Sequence, residues 1–196
     1  MKLEYAAFAF IFTLAAVVNG LGIVRWLTAL AEYLRRKDTL QVANYRVFLL
    51  FAVFQFILHV LLWWSLWGIR AVETFDFIDY LYLLTGPVLL FLSSSLLIPD
   101  ATDGQVNLQS HFTNVRGPYA TVLALAWAWT LFLWPVFKGV IPPSMPAHAA
   151  FLFLAIALRF TPGNKGQALI GIANWVVLVV FVSLFAMELG GVSGQL

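Results

Sequence analysis

Residues 47–69, between Arg46 and Arg70, form a run of 23 residues without a formal charge. As a helix at ~1.5 Å per residue this run is about 35 Å long, enough to cross a bilayer core of ~30 Å. Three tryptophans, Trp63, Trp64 and Trp67, sit at one end of it, where an aromatic belt would lie. Near its middle are Gln55 and His59, one helical turn apart. An imidazole at mid-membrane is costly, and an ionisable group there is a functional hypothesis by default.

The rest of the chain has the same character. Apolar residues make up 62% and charged residues 10%, against ~25% charge in a soluble domain. Mean hydropathy is +0.91. A net charge of +2 gives no electrostatic footprint for nucleic acid. The absence of cysteine removes disulfides, thiolate metal sites and thiol nucleophiles. The N-terminus, MKLEYAAFAF, runs into an apolar stretch without a small-residue cleavage site and reads as a true first span.

The chain therefore reads as an all-α, polytopic membrane protein, one domain over 1–196 with six transmembrane helices. The spans fall at about 5–24, 46–69, 79–98, 119–137, 147–160 and 167–187. The first continues as a basic amphipathic helix past Arg25 to Arg36. The stretch from Pro99 to Pro118 reads as loop, being rich in Gly, Asn, Asp and Pro. The fifth span has only about 14 apolar residues, short for a full crossing. Comparing YAAFAF at Tyr5 with YATVLA at Tyr119 gives no detectable repeat between the halves.

Cations set the orientation. With the N-terminus outside, eight Lys and Arg face inward (Arg25, Arg35, Arg36, Lys37, Arg46, Arg116, Arg159, Lys165) and three outward (Lys2, Arg70, Lys138). Both termini are then outside, with the chain in a bacterial cytoplasmic membrane.

That orientation converts residue numbers into depths. Asn19, Gln55, His59, Ser93, Ser94 and Asn174 come within roughly 5–10 Å of one plane in the inner half. Thr85, before Gly86 and Pro87, adds a hydroxyl beside an expected helix kink at Pro87, where the Leu83 carbonyl loses its helical partner. The layer reads either as interhelical glue, at about 0.6 kcal/mol per hydrogen bond, or as a conduction path. Trp26, Trp63, Trp64, Trp67 and Trp134 are the expected interface anchors. Ala16 and Gly20, four apart, suggest a close helix contact within or between subunits.

Little else carries chemistry. Asp100, Asp103 and His111 lie together in sequence, but PDATDG suits side-chain turns better than a metal site. No hydrolase, zinc-protease or phosphate-loop motif is present. Only His59 is placed to hold a haem, and no span has a lysine for a Schiff base. Hence no metal or cofactor is expected. Three functions stay open. One is a small homo-oligomeric channel or transporter. Another is a structural or sensory subunit binding another membrane protein. The third is a lipid- or quinone-binding enzyme, disfavoured because no nucleophile–base or carboxylate pair lies within the spans.

Overall fold

A computed structural model describes residues 2–35, 41–43, 45–70, 72, 74–100 and 105–187. Six helices run in chain order: α1 (Lys2–Arg35), α2 (Arg46–Leu66), α3 (Phe77–Leu97), α4 (Leu108–Lys138), α5 (Met145–Phe160) and α6 (Asn164–Phe181). A 3-10 turn, Trp67–Ile69, closes α2, and a π turn, Val182–Ala186, extends α6. Among the described residues the fold is all-helical apart from a three-residue parallel pairing of β1 (Gln41–Ala43) with β2 (Gln105–Asn107). That pairing ties the α1–α2 connection to the α3–α4 connection, so both lie at one end of the bundle.

Five helices are long and apolar enough to cross a membrane, by length and composition. α5 has 16 residues, or about 24 Å. The molecule is thus compatible with a multi-pass membrane protein. α2 is the central element. It packs against α1, α3 and α6 and touches α4. Half of its most apolar window is buried, against 22% for α1. α3 lies between α1 and α4, and α5 between α4 and α6. Aromatic rings fill the seams: Phe51 stacks on Phe112 at 5.2 Å, and Trp127 on Phe151 at 4.3 Å.

Local chemistry explains the helix ends. Asp76 and Asp79 form a reciprocal capping box at the start of α3. The Asp76 carboxylate accepts the Asp79 N–H at 2.8 Å, and the Asp79 carboxylate accepts the Asp76 N–H at 3.1 Å. The Asn107 side chain caps α4 by accepting the N–H groups of Gln109 and Ser110. α4 ends at Gly139, whose φ of 65° is left-handed and suits glycine.

Residues 108–118, expected as loop, belong to α4. The Asn107 cap starts the helix, and Leu108 and Phe112, four apart, bury one face of it. Pro118 sits inside the helix. The carbonyl it strips of a partner belongs to Asn114, an exposed residue, so the loss falls where other partners can reach it. Gly-Pro was read as punctuation because the sequence does not show that exposure.

Candidate functional site: a hydrogen-bonded polar layer

Four helices contribute to one cluster. α1 supplies Asn19, α2 supplies Gln55 and His59, α3 supplies Ser93 and Ser94, and α4 supplies Tyr119. All are at most 2% exposed. Helical periodicity places the pairs: Gln55 and His59 are four apart on one face.

The hydrogen-bond directions follow from elementary constraints. Asn19 Nδ2 donates to the His59 carbonyl at 3.1 Å, and a carbonyl can only accept. That fixes the amide orientation, so Asn19 Oδ1 faces His59 Nδ1 at 2.7 Å. His59 Nδ1 therefore carries the proton and donates. Its Nε2 lies 2.7 Å from Ser94 Oγ and accepts the hydroxyl proton. One neutral tautomer satisfies every partner.

Gln55 is closed in the same way. Its Nε2 donates to Ser93 Oγ at 2.7 Å and to the Leu90 carbonyl at 3.3 Å. Ser93 Oγ donates to the same carbonyl at 2.8 Å. The Tyr119 hydroxyl donates to Gln55 Oε1 at 3.3 Å. No side-chain polar atom of Asn19, Gln55, His59, Ser93, Ser94 or Tyr119 is left buried without a partner. Gly22, three residues after Asn19, lets α1 approach this ring. A Cβ there would lie 2.1 Å from His59 Cε1.

Two expected members lie elsewhere. Thr85 is exposed and donates to the Leu81 carbonyl of its own helix at 2.9 Å. Asn174 is buried, but its Nδ2 donates to the Ile170 carbonyl of its own helix, and its Oδ1 has no partner. Both choices are local hydrogen bonds that side chains of this kind make without any tertiary partner. α3 runs through Pro87 without a break. The carbonyl turned to a neighbour there is Tyr82, which accepts Trp129 Nε1 at 2.7 Å, one residue before the expected Leu83.

The interface anchors divide. Trp63 is 52% exposed, whereas Trp134 is 3% exposed, packed within the bundle under Lys138 Nζ at 4.7 Å. Trp26 donates to the Ala52 carbonyl at 2.9 Å. Arg70 lies over the Trp67 ring at 5.1 Å, and Trp64 is half-buried with its indole nitrogen unpartnered. Of the acidic loop residues, Asp100 pairs with Arg25 at 2.8 Å, and His111 meets the Leu97 carbonyl at 2.9 Å. Asp103 lies outside the described residues. No group of three potential metal ligands occurs among the described residues.

Sequence reasoning did not place Tyr119, Gly22 or a second contact, Tyr45 donating to Gln167 Oε1 at 3.1 Å across α2 and α6. Gly22 had a signal, its three-residue spacing from Asn19. The sequence puts Tyr119 at a span end, whereas it lies eleven residues into α4. A cavity of about 60 Å³ lies towards the other end of the bundle, lined by Leu58, Leu62, Ser65, Trp127, Thr130, His148 and Phe181 among others. It is large enough to admit water and well below the ~150 Å³ that admits benzene.

Because Tyr119 and Gln55 satisfy each other, their removal should be coupled. Gln55→Leu is expected to cost about 1–2 kcal/mol by orphaning the Tyr119 hydroxyl, and Gln55→Leu with Tyr119→Phe to cost less than Gln55→Leu alone. Unfolding in detergent by SDS titration measures both; additive losses would contradict the pairing.

No family model, curated protein or solved structure matches this chain.

Proposed function

We propose that this chain is a multi-pass subunit of a bacterial cytoplasmic membrane, with both termini outside. In this reading it acts through its surface, on another membrane protein or on a second copy of itself. The polar layer is the lock that holds α1 to α4 in one arrangement. The carrying observation is that every polar side-chain atom of the six-residue layer is internally bonded while its residues are at most 2% exposed. A conduction path needs groups that exchange partners with ions or water; each polar side-chain atom here already has a partner within the bundle. The eight-to-three bias of cations supports the orientation.

The peripheral position of α1 supports a surface role. Phe10, Leu14, Val17, Leu21 and Val24 are all at least 41% exposed, and a Cβ at Gly20 would meet nothing within 4 Å. Gly20 therefore makes no close helix contact among the described residues.

The channel or transporter reading has one observation in its favour. The cavity is lined in part by Trp127, whose indole N–H is buried without a partner. The enzyme reading lacks a second titratable group there, since His148 is the only one in the lining.

Flux separates the first two. Purified protein in liposomes is expected to leave proton and potassium permeability at the level of empty vesicles, and light scattering should show an oligomer or a co-purifying partner. Flux well above empty vesicles that His59→Ala or Gln55→Ala alters would overturn the proposal in favour of a channel.

A further inference from the structure

Between Asp103 and Glu188 the chain has no acidic residue. Helices α4, α5 and α6 therefore carry their cations without any carboxylate of their own. Two of these cations reach across one seam. Arg116 of α4 donates through Nη1 to the Thr161 carbonyl at the end of α5, and Arg159 of α5 donates through Nη1 to Thr121 Oγ1 of α4. The two guanidiniums thus reach over the α4–α5 seam in opposite directions. Each contact uses one of five N–H donors. Arg116 Nε has no partner, and neither arginine is ion-paired among the described residues.

Thr121 is two residues from Tyr119, which is bonded to Gln55 in the polar layer. Arg159 is nonetheless exposed. Beside it, Phe153, Ile156 and Phe160 form an apolar stripe at helical spacing, 70%, 45% and 72% exposed. The Arg159 guanidinium lies 5.8 Å over the Phe160 ring. At about 24 Å, α5 is shorter than the ~30 Å core of a bilayer, so in a membrane a headgroup reaching inward would suit its charged end.

An apolar stripe capped by two unpaired guanidiniums matches one kind of molecule, an acyl chain ending in a phosphate. Guanidinium forks suit phosphate oxygens. A zwitterionic headgroup would bring an ammonium against α4, α5 and α6, which carry no carboxylate to receive it. We propose that Arg116 and Arg159 bind the phosphate of an anionic phospholipid whose acyl chain lies along Phe153, Ile156 and Phe160. This rests on the membrane reading above, which flotation of the protein with phosphatidylcholine vesicles tests separately.

The test is thermal unfolding of the purified full chain in detergent, titrated with phosphatidylglycerol, phosphatidylcholine or soluble glycerol phosphate. Phosphatidylglycerol is expected to raise the midpoint and phosphatidylcholine to do so far less. Arg159→Gln should raise the half-saturating phosphatidylglycerol concentration about fivefold, and adding Arg116→Gln should raise it further. Arg159→Lys, which keeps the charge and loses the fork, should fall between wild type and Arg159→Gln, and Arg70→Gln, at the opposite end, should keep the full response. Equal responses to the two lipids would overturn the site. So would a wild-type response in Arg159→Gln, or an equal shift from glycerol phosphate alone, which would make the ligand a free anion. If the double variant fails to fold, Arg159→Gln, a change at an exposed residue, decides.

Discussion

Gly22→Ala is expected to remove about 3 kcal/mol of stability, a large effect for one methyl group. The new Cβ would lie 2.1 Å from His59 Cε1 and 2.6 Å from Nε2. The ring has no slack, because Asn19 holds Nδ1 and Ser94 holds Nε2, each at 2.7 Å. Either α1 moves away or both hydrogen bonds break. Overpacking costs ~1–3 kcal/mol, and leaving buried partners unsatisfied adds ~1–3 kcal/mol. The hydrogen bonds alone, at ~0.6 kcal/mol each in a membrane protein, would not produce this. The steric term dominates. A double-mutant cycle separates the two. His59→Ala removes the obstacle, so Gly22→Ala should cost little on that background. Unfolding in detergent supplies the four stabilities. If the two losses simply add, the ring is not what Gly22 makes room for. Gly20→Ala is the control: its Cβ meets nothing, so the expected change is within about 0.5 kcal/mol.

The second large effect falls on α3. A Cβ at Gly86 would lie 2.4–2.7 Å from the outer edge of the Trp129 indole. That indole is fixed at both ends of a reciprocal pair. Trp129 Nε1 donates to the Tyr82 carbonyl at 2.7 Å, and the Tyr82 hydroxyl donates to the Trp129 carbonyl at 2.8 Å. Gly86→Ala is therefore expected to cost about 2–3 kcal/mol. Trp129→Phe removes the clashing edge, and Gly86→Ala should be nearly silent on that background. The same unfolding measurement, with tryptophan fluorescence as a second readout, checks it. A Gly86→Ala protein as stable as wild type would mean that α3 and α4 sit further apart than described.

These two glycines show what the residue string lacks. Gly20 and Gly22 differ by two positions in one apolar helix, yet only Gly22 has a ring against it. Small-residue spacing drew attention to Gly20, because a four-residue repeat is a one-dimensional pattern. Which glycine a neighbouring side chain meets depends on how far α1 is rotated about its axis, and only packing sets that angle. The same holds within the polar set. Gln55 and His59 share a face by periodicity alone, and the serines join them because α3 packs beside α2. Asn174, at similar depth, turns back on its own helix.

The amino-acid sequence by itself determined the helical class, the order of the six helices and, of the polar layer, Asn19, Gln55, His59, Ser93 and Ser94 as candidates. Hydrophobicity and charge-free run length are sums over the chain, and they survive without knowing any neighbour. Only the tertiary structure decided that Tyr119 completes the layer, that each imidazole nitrogen has one partner, and that Arg116 and Arg159 cross the same seam. Those facts depend on helix rotation and vertical offset, and a shift of a few ångströms in either would exchange every partner while leaving the hydropathy pattern unchanged.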